Sequence, residues 1–252
     1  MTRLSPLLLT LCLFAAWELC VRAFGVPAYV LPAPSRIAVV FFTKFPLLLS
    51  HAGATLAEIG LGFLFGFLGG ITLALPLFYV PTLGAAVYPL LIASQVIPVF
   101  AIAPLLVIWF GYGLWPKVAV AALIAFFPIT INAVDGLRAA SSETVDVLRA
   151  LRASEWRIFR IVRAPASLPA LFSGLKVGVT LCVVGATIGE WIGAERGLGY
   201  LMIESNALLR TDLVFAAILT LTLVGLLLFG LVRIIERRVL RWRPEEGRHD
   251  GA

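Results

Sequence analysis

The sequence predicts an all-α integral membrane protein with about six transmembrane helices. Three observations carry this prediction. Hydrophobic residues make up 61% of the 252 residues and charged residues only 13%, against roughly a quarter charged in a soluble domain. The apolar residues gather in runs of about 20, the length a helix needs to cross a bilayer. Strict apolar/polar alternation over windows of about ten residues is absent, which argues against a β-barrel.

Residues 1–54 hold the first span and an external connecting segment. Pro6–Phe24 is apolar except for Glu18 and Arg22. It is longer than the core of a signal peptide and lacks a clean small-residue cleavage site, so it reads as span 1. Pro27, Pro32 and Pro34 make the next stretch rigid and extended. Ser35–Leu49 then reads as a short amphipathic helix on the membrane surface, capped by Ser35 and flanked by Arg36 and Lys44.

Residues 55–236 form the main membrane domain. Span 2 is Thr55–Tyr79. Its Gly62, Gly66 and Gly70 recur every four residues and let another helix approach closely, within the chain or across a dimer seam. Span 3, Tyr88–Phe110, holds Gln95, Pro98 and Pro104 and should be kinked. Gly111–Pro116 is a turn, and Lys117–Asn132 is span 4. A charged insert over Asp135–Leu171 follows. Span 5, Ser173–Ile192, carries one glycine ridge at Gly174 and Gly178 and another at Gly185, Gly189 and Gly193. A polar loop with Gly197-Leu198-Gly199 leads to span 6, Asp212–Ile235. Residues 237–252 are a basic tail.

With a cytoplasmic N-terminus, thirteen of the 20 Lys and Arg residues fall on the inside: Arg3, six in the insert and six toward the C-terminus. Six fall outside, and Lys176 lies within span 5, near enough to its end to snorkel. The positive-inside bias therefore puts both termini and the insert in the cytoplasm.

The insert is the longest charged interruption. Ser142 is the expected N-cap of a first helix, with Glu143 and Asp146 near its start and Val147, Leu148 and Leu151 as its stripe. Ala153-Ser154 restarts the pattern. Ser154 caps a second helix with Trp156, Phe159 and Val162 as its stripe, which Pro165 and Pro169 should end. A Trp and an apolar stripe rimmed by arginines suit a protein–protein contact. A basic amphipathic loop resting on anionic lipid is the alternative.

Several classes are disfavoured. Cys12, Cys20 and Cys182 fall in apolar runs and read as small buried hydrophobes, and His51 and His249 lack ligand spacing. There is no nucleophile–base set for an enzyme, no cofactor motif and no sign of nucleic-acid binding. The phosphate-binding G-x-x-x-x-G-K-[ST] motif is also missing, so ATP-driven work would need a partner. An ion-gradient-driven secondary transporter or channel would want paired ionisable residues at mid-membrane. Polar residues within spans are candidate pathway lining: Gln95, Asn132 and Glu190. Each has a plainer reading: Gln95 bridging helices, Asn132 capping span 4, Glu190 at the outer interface.

The insert resembles the cytoplasmic loop of permease subunits of ABC importers, whose motif runs Glu-Ala-Ala, three residues, Gly, nine residues, Ile-x-Leu-Pro. Here Asp146-Val147-Leu148 occupies the first part, Arg152 the Gly position, Ala153-Ser154 the usual following pair, and Val162-Arg163-Ala164-Pro165 the end. Residues 89–136 and Gly189–Met202 are similar to the nitrate/sulfonate/taurine branch, and Gly189–Met202 together with Ile108–Lys117 leans toward members importing thiamine-precursor pyrimidines.

The resemblance implies a type I ABC importer (MetI-like) permease fold over 55–236, with the coupling loop at 136–171, in a bacterial inner membrane. It implies two permease copies, two ATPase subunits and an extracytoplasmic solute-binding protein. Asp146, Leu148, Leu151, Arg152 and Ala153 would seat in the ATPase. Ser154, Trp156 and Phe159 would brace that helix, and Pro165 would fix the link to span 5. If the bend needs a positive φ at the Gly position, arginine there costs about 1 kcal/mol or more, so either the bend shifts to Ala153-Ser154 or coupling is altered.

Overall fold

The computed structural model describes residues 5–242, with side chains from residue 8. Among these residues every regular element is helical. Helix α1, Ser5–Ala23, coincides with the expected first span. Its Cys12 and Cys20 are exposed, not buried as expected; only Cys182 lies in the core. Helix α2, Pro34–Thr43, starts on Pro34, whose fixed φ and missing N–H suit a first turn. Ser35 is therefore inside the helix and does not cap it. Its N–H and Oγ instead donate to the Glu18 carboxylate, at 3.0 and 2.7 Å, which also pairs with Arg22 at 2.6 Å.

Helix α3 runs unbroken over 35 residues, Phe45–Tyr79. At 1.5 Å per residue it is about 52 Å long, well beyond the bilayer core. The surface helix expected over Ser35–Leu49 is thus divided at Lys44, and no boundary falls at residue 54. Pro46 sits in the first turn of α3, where its absent N–H is not needed. Span 3 is two helices, α4 (Pro81–Ser94) and α5 (Val99–Phe110), bent by 99°. Pro98 breaks the ladder and keeps Ile97 out of helical geometry, while Gln95, Val96 and Ile97 close tight turns onto Ile92, Ala93 and Ser94. Pro89 and Pro104 remain inside their helices.

Helix α6, Leu114–Arg138, follows Gly111 (φ 75°) and Gly113 (φ 122°). The insert forms α7, Ser142–Ala150, and α8, Glu155–Ile158. The expectation that Pro165 and Pro169 end the second helix is corrected. A wide π turn over Phe159–Arg163 absorbs the mismatch, and the rod continues as α9, Ala164–Gly193. Helix α10, Leu198–Ala207, and α11, Thr211–Val239, complete the described chain. The rest of the expected basic tail, residues 243–252, lies outside the described residues.

Among the described residues, four helical stretches are long and apolar enough to cross a membrane: Phe45–Tyr79, Leu114–Arg138, Glu155–Gly193 and Thr211–Val239. The bent pair makes a fifth, against the six expected from sequence.

Helix α6 is the centre of the bundle, with α3 on one side and α9 on the other. Gly62, Gly66 and Gly70 of α3 face Ala121, Ala122/Ala125 and Ile129 of α6. From the other side, Gly174, Gly178, Gly185 and Gly189 of α9 face Asn132, Ile129, Ala121 and Lys117. These seven glycines are thus spent on packing against α6, whereas Gly193 of the last ridge faces Tyr112 and Val107, and α6 runs parallel to α3 and antiparallel to α9. Around them Ile59, Ala121, Ala125, Ile129 and Cys182 form a core that is fully closed off. Helix α11 packs antiparallel to α9, with Val232 against Phe172 and Val179. Lys176 meets Glu236 at 2.8 Å, a pairing the snorkelling reading did not include.

Candidate functional site

The insert is an elbow whose corner is built by backbone geometry. Ser141, one residue before the expected cap, accepts the Thr144 N–H at 3.3 Å and starts α7. At the other end Ala153 N–H bonds to Leu148 O and Arg152 N–H to Arg149 O, both at 2.9 Å. This Schellman pair closes the helix and requires a left-handed residue at its turn. That residue is Arg152, with φ +55°. The bend therefore stays at the motif's Gly position and is not moved to Ala153-Ser154. Ser154 caps the next helix as expected, accepting the Arg157 N–H at 3.3 Å.

Side chains then lock the elbow. Arg149 reaches Glu155 across the corner at 3.0 Å and Asp146 at 3.6 Å, and Glu155 also reaches Arg163 at 3.5 Å. Asp146, Arg149 and Glu155 are exposed, so each pair adds little; together with the largely buried Arg163 they set an orientation. Val145 and Ile158 are buried and anchor the two arms, leaving Val147, Leu151 and Trp156 pointing outward at 60%, 73% and 69% exposure. Leu148, Ala153, Phe159 and Pro165 are half-buried, while Asp146, Arg152 and Ser154 are exposed.

The elbow is tied to the membrane helices. Trp156 stacks on Phe159 at 5.6 Å, and Phe159 lies 6.4 Å from Tyr79 at the end of α3. The Arg163 guanidinium sits over Phe78 and Tyr79 at 4.8 and 5.7 Å. Beside it, Tyr88 of α4 donates to Asp135 at 2.8 Å, and Arg138 covers the Tyr88 ring at 5.0 Å. The elbow thus touches the end of α3 and runs on into α9, while α4 is tied to α6 beside it.

At the opposite end lies a polar cluster that was not foreseen. The Lys117 ammonium of α6 donates to the Glu58 carboxylate of α3, and both side chains are buried. Glu190 of α9 accepts from Thr55 Oγ1 at 2.6 Å and from the Gly199 and Tyr200 N–H groups. Thr55 Oγ1 also accepts the Leu198 N–H at 2.8 Å, and His51 Nδ1 the Gly197 N–H at 3.2 Å. Three side chains, His51, Thr55 and Glu190, thus pin Gly197 and the first turn of α10 to α3 and α9. Each supplies a partner for a backbone group that burial would otherwise leave unmet.

The three candidate lining residues are treated differently by the fold. Gln95 is exposed at the corner between α4 and α5. Asn132 is half-buried, donates to the Pro128 carbonyl at 2.8 Å and packs on Gly174. Glu190 is buried behind the loop it holds. Glu58 and Lys117 carried a readable signal: they are ionisable groups of opposite sign, each near the start of a span expected from sequence, at Thr55 and Lys117. Their pairing needs the parallel packing of α3 on α6, which the sequence does not state.

Comparison with known proteins agrees with this architecture. Residues 62–241 match the family described as binding-protein-dependent transport system inner membrane component. The chain is 40% identical over 244 residues to the formylaminopyrimidine transport permease protein ThiX of Halalkalibacterium halodurans, covering 96% of this chain and 97% of that one. It is 39% identical to the riboflavin transport system permease protein RibX of Chloroflexus aurantiacus, covering 91% and 87%. An inward-facing structure of the MetNI methionine ABC transporter shares the fold, with a TM-score of 0.68 at 20% identity, covering 78% of this chain and 98% of that one. The chain belongs to the binding-protein-dependent inner membrane component family, and it is a multi-pass permease subunit of an ABC importer.

Proposed function

We propose that the elbow Ser142–Phe159 is the coupling surface on which an ATPase subunit docks, and that the chain works as two copies with two ATPase subunits and an extracytoplasmic solute-binding protein. One observation carries the reading: Val147, Leu151 and Trp156 are exposed together on a rigid corner whose aromatic and cation–π contacts run into α3. Fully burying each such side chain is worth about 1.5–3 kcal/mol, so the three suffice to anchor a partner. The elbow and the C-terminal end of α11 share one end of the bundle, as Lys176–Glu236 requires. By the positive-inside bias that end is cytoplasmic, and the N-terminus with it. Gln95, exposed at the break in span 3, is the candidate pathway residue.

The test is copurification of the chain with its co-expressed ATPase subunit. Trp156→Ala should weaken docking by about 2 kcal/mol or more, because a large aromatic anchor is removed. Unchanged recovery of the ATPase would overturn the assignment.

The solute is proposed to be a pyrimidine-type nitrogen heterocycle. The support is that relatives at 40% and 39% identity are named for formylaminopyrimidine and riboflavin, whereas one named for aliphatic sulfonates is 30% identical. Uptake of labelled formylaminopyrimidine, against taurine as comparison, tests the class.

A further inference from the structure

We propose that Glu58 and Glu190 share one proton, carried by Glu58, and that this bond is a latch holding Gly197 and the first turn of α10 down on the bundle. The groups come from three helices. The Glu58 carboxyl of α3 lies within hydrogen-bonding reach of the Glu190 carboxyl of α9, and both side chains are buried. Lys117 of α6 donates to Glu58 Oε1. Glu58 Oε2 is closed off from solvent and meets no donor among the described residues.

An ionised carboxylate can only accept hydrogen bonds, so two of them face to face need a hydrogen between them. A single ammonium serves the pair, and two full negative charges would leave one unbalanced away from water. One proton removes both difficulties. Its place follows from the donors. Glu190 receives Thr55 Oγ1 on Oε1, and the Gly199 and Tyr200 N–H groups on Oε2, the surroundings of an ionised group. Glu58 receives only Lys117. Glu58 is therefore the acid, its Oε2–H donates to Glu190, and Glu190 is the counter-charge of Lys117. The ionisable neighbours are occupied elsewhere: His51 accepts the Gly197 N–H and stacks on Tyr200, while Tyr112, Glu195 and Arg196 line the adjoining cavity.

The backbone of the loop rests directly on the Glu190 carboxylate, since a Cβ on Gly197 or Gly199 would run into it. The bond from Glu58 fixes the orientation in which that carboxylate meets the loop. Gly197 and the start of α10 can lift only if Glu190 turns, and turning breaks the shared-proton bond. Glu58 is thus a positioning residue that acts on the loop through Glu190.

The test uses the full chain in lipid nanodiscs at neutral pH. Its infrared spectrum should show the carbonyl stretch of a buried protonated carboxylic acid, and Glu58→Gln should lack that band. Glu58→Gln puts an amide N–H where the acid O–H stood and leaves the charge of the cluster unchanged. Its thermal unfolding midpoint, and the hydrogen exchange of the Gly199 and Tyr200 amides, should therefore match wild type. Glu58→Met fills similar space without a donor, and in it those two amides should exchange about tenfold faster, as loss of one charge-assisted hydrogen bond does. A wild type without the acid band, a band that survives in Glu58→Gln, or a Glu58→Gln that is destabilised or exchanges faster overturns the shared proton. Exchange in Glu58→Met equal to wild type overturns the latch. The infrared and Glu58→Gln arms decide the proton even if Glu58→Met fails to fold.

Discussion

Two residues hold conformations that their neighbourhood imposes. Arg152 occupies the left-handed turn of a Schellman closure at φ +55°, where a Cβ is penalised by roughly 1 kcal/mol relative to glycine. Arg152→Gly should therefore stabilise the chain by about 1 kcal/mol, read as a higher thermal unfolding midpoint in detergent. An unchanged or lower midpoint would mean that the Arg152 side chain contributes more than its backbone costs. Gly197 is the reverse case. Its φ is +127°, and a Cβ there would run into the Glu190 carboxylate. Gly197→Ala should cost about 2 kcal/mol or more, through strain and the loosened loop contacts. A midpoint equal to wild type would show that Glu190 can move aside.

At the level of elements, the glycine ridges set how closely helices approach. A Cβ on Gly66 would come 2.9 Å from the Ala122 carbonyl oxygen and 3.0 Å from the Ala125 side chain. Gly66→Leu should push α3 off α6, cost about 3 kcal/mol by overpacking, and remove the monodisperse peak in size exclusion. Retention of that peak would mean the α3–α6 seam tolerates separation. The same seam aligns Glu58 with Lys117. A buried pair of this kind is costly to break from one side, because the survivor keeps its charge without a partner.

Over the whole molecule, two ends of different character are joined by one rigid triple of α3, α6 and α9. The elbow end presents apolar side chains on a charged surface, and the opposite end hides a polar cluster beneath a pinned loop. Arg152→Cys and Tyr112→Cys mark the two ends, both exposed. In spheroplasts a membrane-impermeant maleimide should label Tyr112→Cys directly and Arg152→Cys only after permeabilisation. The opposite pattern would invert the proposed orientation.

Much of this was legible in the sequence, and the parts that were not share a cause. The apolar runs mark the spans because the bilayer imposes length and composition on each helix separately. Ser154, the arginines of the insert and Pro98 act within a few residues of themselves, so the second cap, the charged face and the break in span 3 could be read locally. The run-through of Pro165 could not, since it depends on a wide turn over Phe159–Arg163 that no residue there announces. The start of α3 at Phe45 was also missed, because an apolar surface segment and an apolar helix start look alike along the chain.

By itself, then, the sequence determined a helical membrane protein, the number of its apolar runs, and a charged elbow that must meet something in water. Tertiary structure alone decided that glycines of α3 and α9 close on α6 from opposite sides, that Arg152 carries the bend, and that Glu58, Lys117, Thr55 and Glu190 meet at one end. The physical reason is that hydropathy and capping act over one or two helical turns. The partner of a buried charge is chosen by which helices lie parallel and at what depth, over separations of 59 residues for Lys117 and Glu58 and 135 for Thr55 and Glu190.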